Sequence, residues 1–238
     1  MLTALLVSVN YADYLEVVLP YNTLQFDQII VLTIKSDKEC QDLCSKYSNV
    51  KCLVFPDEIL KKNGKMFNKG ALINKGFEYL NEIGYSDWLV STDADIIFPK
   101  NFKDLLLSRE KDPNILYGMK RRFCSTLKRF NEYLNTKNIS FCTIGDRMSS
   151  LLFNGYCQIF IYSPNKFVYS DTDTVWDDLW FLSYFSESIK QSVAANEKKP
   201  NLWCKPSPTL VLLSTTDFVV HLGPPSINWH GRTSEPFG

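Results

Sequence analysis

The run Asp87-Trp88-Leu89-Val90-Ser91-Thr92-Asp93-Ala94-Asp95-Ile96-Ile97-Phe98-Pro99 constrains this chain more than any other stretch. Trp88 to Thr92 are apolar or β-prone, the pattern of a short strand covered on both faces. That strand runs straight into two carboxylates two positions apart. Taking carboxylates out of water is costly unless a cation or hydrogen-bond donors compensate. In an open α/β sheet the carboxyl ends of the strands are where ligands bind. Asp93 and Asp95 therefore stand where a hard divalent ion, Mn²⁺ or Mg²⁺, would carry phosphate oxygens. A solvated, Asp-rich turn is the plainer reading of a D-x-D triplet alone; the apolar runs on both sides favour the metal site.

The sequence before this run alternates strand and helix signals. Residues 2–9, 27–34 and 50–55 read as strands. A helix is expected from Tyr11 to Leu19, stopped by Pro20. Another follows a cap at Asp37, and a third spans residues 66–85, where Phe67, Leu72, Ile73, Phe77 and Leu80 recur at near-helical spacing. Four strands joined by helices predict an α/β fold, a mixed and mainly parallel sheet with helices on both faces. No G-x-G-x-x-G follows the first strand, so phosphates must be held by side chains and a metal instead of a glycine loop. After Pro99 the expected elements are a helix at 101–109 and strands at 115–118, 155–162, 210–213 and 218–220. The basic stretch 119–137 reads as a solvated loop or helix face, with a flap over an anionic ligand as the alternative. One domain over 1–238 accommodates all of this, in two functional halves, 1–98 and 99–238.

Composition excludes several classes. With 45% hydrophobic residues the chain supports a substantial core. Basic and acidic residues balance at 26 each, so no global field attracts nucleic acid. The apolar opening, Met1 to Asn10, lacks a basic leader and reads as a buried strand, and no run is long enough to span a membrane. The seven cysteines show no paired C-x-x-C frame and read as small core residues in a reducing, cytoplasmic setting.

Two further clusters carry chemistry. In Val175-Trp176-Asp177-Asp178-Leu179-Trp180, the acids fall in the first turn of a helix, where the backbone favours negative charge. They are equally placed for a general base beside a tryptophan on which a sugar ring lies. In Val219-Val220-His221-Leu222-Gly223-Pro224, a histidine ends an apolar run just before a forced turn. It suits a structural role or a third metal ligand beside carboxylates.

Taken in order, these segments resemble the GT-A nucleotide-sugar glycosyltransferases. Val9-Asn10-Tyr11 follows the first strand. Phe67-Asn68-Lys69-Gly70-Ala71-Leu72-Ile73-Asn74-Lys75-Gly76 resembles the F-N-R-A-x-x-x-N-x-G helix of the β-1,4-galactosyltransferases. Asp93-Ala94-Asp95 resembles the metal-binding D-x-D. Trp176-Asp177-Asp178, later followed by His221-Leu222-Gly223, is similar to the W-G-x-E-D segment and the C-terminal metal histidine. Residues 119–150 match nothing in the family pattern.

The resemblance implies a metal-dependent, inverting transfer of a hexosyl or deoxyhexosyl group from a nucleoside-diphosphate sugar, a UDP-sugar above all, to a hydroxyl of a glycan or other acceptor. Tyr11 and Asp37 would contact the base, Lys69 the base or diphosphate, and Asp93 the ribose and metal. Asp95 and His221 would ligate Mn²⁺ or Mg²⁺. Asp178 would be the catalytic base with Asp177 holding the acceptor, or Asp177 itself the base. Trp176 and Tyr156 would contact the acceptor. Rival readings are a Mg²⁺-dependent phosphatase, a glycosidase with paired carboxylates, and a non-catalytic carbohydrate-binding module.

Overall fold

The structure, a computed structural model, describes residues 1–64, 67–144, 156–170, 177–194, 208–223 and 237. The first half builds β1 (Leu2–Val7), α1 (Ala12–Asn22), β2 (Gln28–Ile34), α2 (Lys38–Cys44), β3 (Val50–Phe55), a 3-10 turn, α3 (Lys69–Glu82) and β4 (Trp88–Asp93). The second half adds β5 (Ile96–Ile97), α4 (Phe102–Leu107), β6 (Leu116–Gly118), β7 (Lys120–Cys124), α5 (Leu127–Thr136), β8 (Thr143–Ile144) and β9 (Cys157–Ile161). It closes with α6 (Asp177–Leu182), α7 (Glu187–Ala194), β10 (Leu210–Leu212) and β11 (Phe218–Leu222).

Among the described residues the main sheet runs β10-β6-β9-β4-β1-β2-β3, and β9 alone is antiparallel to its neighbours. This is the mixed, mainly parallel sheet expected. Period-two alternation divides its side chains between two layers. Trp88 and Val90 join Leu2, Ala4 and Leu6 against Leu15, Leu19 and Leu43 of α1 and α2. Leu89 joins Leu5, Ile30 and Leu32 against Leu72, Phe77 and Leu80 of α3. Helices thus cover both faces, which is why β4 is buried from Trp88 to Thr92. None of the described helices is long and apolar enough to cross a membrane.

Two expectations need correcting. The first helix does not stop at Pro20; it continues to Asn22 with Pro20 inside its last turn. Proline lacks only its own N–H there, while the Thr23 amide and hydroxyl both donate to the Leu19 carbonyl, at 3.0 and 2.8 Å. The basic stretch 119–137 is a helix only in its second part, α5, where Lys128 and Arg129 are exposed as expected. Its first part, from Lys120, is not a loop but β7, a strand of a second sheet ordered β5-β11-β7-β8. Phe123 and Cys124 are buried on its two faces, Lys120 bonds the Thr215 carbonyl at 2.7 Å, and Arg122 lies over the Phe218 ring.

Asn22 explains why the helix must pass Pro20. Its buried amide donates to the Ile96 carbonyl at 2.8 Å and accepts from the Phe98 amide at 3.0 Å. This clamp pins to α1 the segment that directly follows Asp95. Asn22→Ala strands a buried N–H and a buried carbonyl, so a loss of roughly 2–4 kcal/mol is expected by urea unfolding. A change within about 0.5 kcal/mol, the range of surface substitutions, would show that the clamp does not hold the segment.

Candidate active site

Chain order places the site. β1 feeds β2 and β3 on one side while β4 lies on its other side, so the carboxyl ends of β1 and β4 flank the point where strand order reverses. Asp93, the last residue of β4, pairs in register with Val7 at the end of β1. Beyond it the short β5 pairs antiparallel with β11, setting His221 opposite Ile96. The Leu222 amide donates to the Asp95 carbonyl at 2.9 Å. Residues far apart in sequence therefore meet, with His221 Nε2 at 3.1 Å from Asp95 Oδ2. Gly223 completes the turn at φ +89°, where a Cβ would stand 2.6 Å from the Tyr14 hydroxyl.

Asp93 turns elsewhere. Its Oδ1 lies 2.6 Å from Lys69 Nζ, a half-buried ion pair. Lys69 opens α3 behind the cap Asn68, whose side chain accepts from the Ala71 amide at 2.9 Å. Burial works against the Lys69 charge. The fields of Asp93, Asp178 and Asp95, with the hydrogen bond to Asp93, outweigh it and hold the ammonium above the ordinary lysine value. One fixed cation thus sits among three carboxylates.

Among the described residues, no three His, Cys, Asp or Glu side chains converge as a metal site. The expected trio is not assembled: Asp95 and His221 come together, and Asp93 is engaged by Lys69. The pair still suits a divalent ion. Among the described residues, Asp95 Oδ1 and His221 Nδ1 are buried without a hydrogen-bond partner, a costly arrangement for a carboxylate oxygen. Their 3.1 Å separation matches neighbouring ligands on an octahedral ion, which at about 2.1 Å each lie about 3 Å apart. An ion carrying substrate phosphates needs only one or two protein ligands.

Asp178 lies in the first turn of α6 and accepts a short hydrogen bond from the Tyr169 hydroxyl on Oδ1. Tyr169 is itself fixed. Its ring stacks on Phe181 at 5.3 Å, and the Asn74 side chain bonds both its amide and its carbonyl, at 2.7 and 2.8 Å. Gln158 holds the Asp178 carbonyl at 3.1 Å. Sequence reading missed Tyr169 because nothing local distinguishes it from the buried aromatics around it. Asn74 stood in the quoted helix motif without a role.

Other expected contacts fare differently. Tyr11 sits at the start of α1, half-buried, with its ring 5.4 Å from that of Tyr14. Asp37 caps α2 as expected, through the Cys40 amide at 3.1 Å, and also takes the Asn10 amide at 2.7 Å. Buried and so engaged, it anchors the Tyr11 loop. Tyr156 is corrected as an acceptor platform: its ring is 2% exposed, Arg121 lies over it at 4.2 Å, and its hydroxyl bonds the Met119 carbonyl. Arg121 also lies over Phe123, whose ring is 4.6 Å from His221, so this column supports the histidine. Trp176 lies outside the described residues, and Asp177 is described only as the first residue of α6.

No family model matches the sequence, and no curated protein matches it. Solved structures do. TarS 1-349 of S. aureus aligns with a TM-score of 0.57 and 12% identity, over 93% of this chain and 60% of that one. The chain has a GT-A fold. Weaker matches include the mannosyltransferase PcManGT of Pyrobaculum calidifontis in complex with GDP-Man and Mn²⁺, at 0.47 and 12% identity over 89% and 56%. Another is 4-diphosphocytidyl-2C-methyl-D-erythritol synthase of Anaerococcus prevotii, at 0.44 and 11% over 89% and 86%. The chain spans less than two thirds of the first two proteins.

On this GT-A frame Lys69 is the electrostatic hinge of the site. Its folded-state value lies above the unfolded one, so its stabilisation is complete below about pH 10.4 and is lost as pH rises through the folded value. Lys69→Met should lower unfolding free energy by about 1–3 kcal/mol at pH 7, a buried-pair loss discounted for partial exposure. The gap should narrow in urea melts above about pH 10.4. A pH-independent gap would assign the loss to packing.

Proposed function

We propose that the chain is a metal-dependent, inverting glycosyltransferase that moves a hexosyl or deoxyhexosyl group from a nucleoside-diphosphate sugar, with UDP-sugars favoured, to a hydroxyl of a glycan or other acceptor. The observation that carries this reading is the Asp95–His221 pair at the carboxyl edge of β4, beside Lys69 and Asp93, with buried polar atoms that no described residue matches. The GT-A fold supplies the context.

Asp95 and His221 would hold Mn²⁺ or Mg²⁺, which when bound neutralises charge on the diphosphate. Lys69 adds a positive charge next to the same edge, and Asp93 keeps it oriented while remaining available to the ribose. Tyr11 offers its ring to the base, on a loop fixed by Asp37. Asp178 is the general base. Tyr169 occupies its Oδ1, which leaves Oδ2 to accept the proton of the acceptor hydroxyl as that oxygen attacks the anomeric carbon opposite the leaving group. A single base and direct attack give inversion.

Asp178→Asn should reduce kcat by about 100- to 10,000-fold while donor affinity is retained. Unchanged turnover, with the loss appearing instead in Asp177→Asn, would move the role to Asp177. Donor binding by calorimetry should be stimulated by Mn²⁺ in the wild type, and Asp95→Ala should abolish that Mn²⁺-stimulated binding. Equal wild-type binding with and without the ion would remove the metal from the reading. A thermal-shift screen of nucleoside-diphosphate sugars identifies the donor, because a ligand at 100 times its Kd stabilises by about 2.7 kcal/mol.

A further inference from the structure

We propose that Cys124 and Cys142 form a reversible disulfide, stapling the excursion that carries α5 onto the strand beside His221. Pairing of β7 with β8 sets Arg122 against Ile144 and Phe123 against Thr143, so the next position along the ladder places Cys124 opposite Cys142. Directly opposite residues of antiparallel strands approach closely enough for a disulfide with little backbone movement. The two sulfurs already lie 2.7 Å apart. Both residues are buried, Cys124 fully and Cys142 nearly so.

The two thiols are not equivalent. The contact with Cys124 lowers the Cys142 thiol, against its burial and with help from Arg122 and Arg129. The same contact, with burial, raises Cys124. Cys142, next to the edge strand β8 and the less buried of the two, is the attacking sulfur. An oxidant reaches it through local opening, because α5 contributes a single fully buried side chain, Phe130.

The oxidant is a small-molecule disulfide. The Cys142 thiolate attacks one of its sulfurs, the reagent's S–S bond breaks, and one thiolate leaves. Cys124 loses its proton and attacks the Cys142 sulfur, expelling the second thiolate. Two electrons pass from the protein thiols to the reagent, and the two protons end on the released thiols.

The staple bears on the site through one strand. Cys124 pairs in register with Leu222, its carbonyl accepts from the Gly223 amide at 2.8 Å, and its neighbour Phe123 packs on His221. Closing the 125–141 excursion at this point ties down the strand that supports the histidine.

The test uses the whole chain, purified under reductant and transferred into oxidised glutathione, then alkylated, digested and mapped by mass spectrometry. The expected result is a Cys124–Cys142 crosslinked peptide, loss of alkylation at both positions, and a raised thermal midpoint that returns on reduction. Cys142→Ser, or Cys124→Ala if the first does not fold, should show no oxidant-dependent shift. Full alkylation of both thiols after oxidation, a lasting glutathione adduct on Cys142 without the crosslink, or pairing confined to Cys40, Cys44 and Cys52 would each overturn the proposal.

Discussion

The site depends on one electrostatic problem: two carboxylates at the end of a strand that is buried on both faces, with a third, Asp178 of α6, acting on the same lysine. Water cannot solvate them fully there, so positive charge must. Lys69 supplies one unit and takes Asp93 as its partner. Among the described residues, Asp95 is left with an unmatched oxygen next to an imidazole with an unmatched nitrogen. Such a residue of unmet polarity at a strand's carboxyl end belongs to a binding site more readily than to a scaffold, since scaffolds rarely retain it.

Rigid parts surround that unmet polarity. The Asn22 amide locks the segment after Asp95, the Arg121–Phe123 column backs His221, and Asn74 fixes the Tyr169 that holds Asp178. In each case a polar or aromatic side chain from a neighbouring element settles the position of a charged one. The supporting shell, more than the charged residues, sets their geometry.

The β1 to β4 framework was readable because buried parallel strands are apolar throughout, and the loops between them carry the turn residues that punctuate them. Asp37 and Asn68 announced their caps through side-chain chemistry alone. β7 was hidden because Lys120, Arg121 and Arg122 read as a solvated run. Arg121 and Arg122 instead spend their charge over aromatic rings, an outcome that depends on partners distant in the chain. Tyr156 misled for the opposite reason: an aromatic at a strand's edge looks like a sugar platform until burial is known. The meeting of Asp95 with His221, and of Asp178 with Tyr169, depends on tertiary register, which no local pattern encodes.

The strand pairing also orders assembly in time. β1, β2, β3 and β4 associate through sequential crossovers and can consolidate as the first part of the chain emerges during synthesis. β11 carries the histidine and comes last, and it docks only after both β5 and β7 exist to receive it. A partly synthesised chain would own the acidic edge without its imidazole, so the Asp95–His221 pair forms only once β11 has been made.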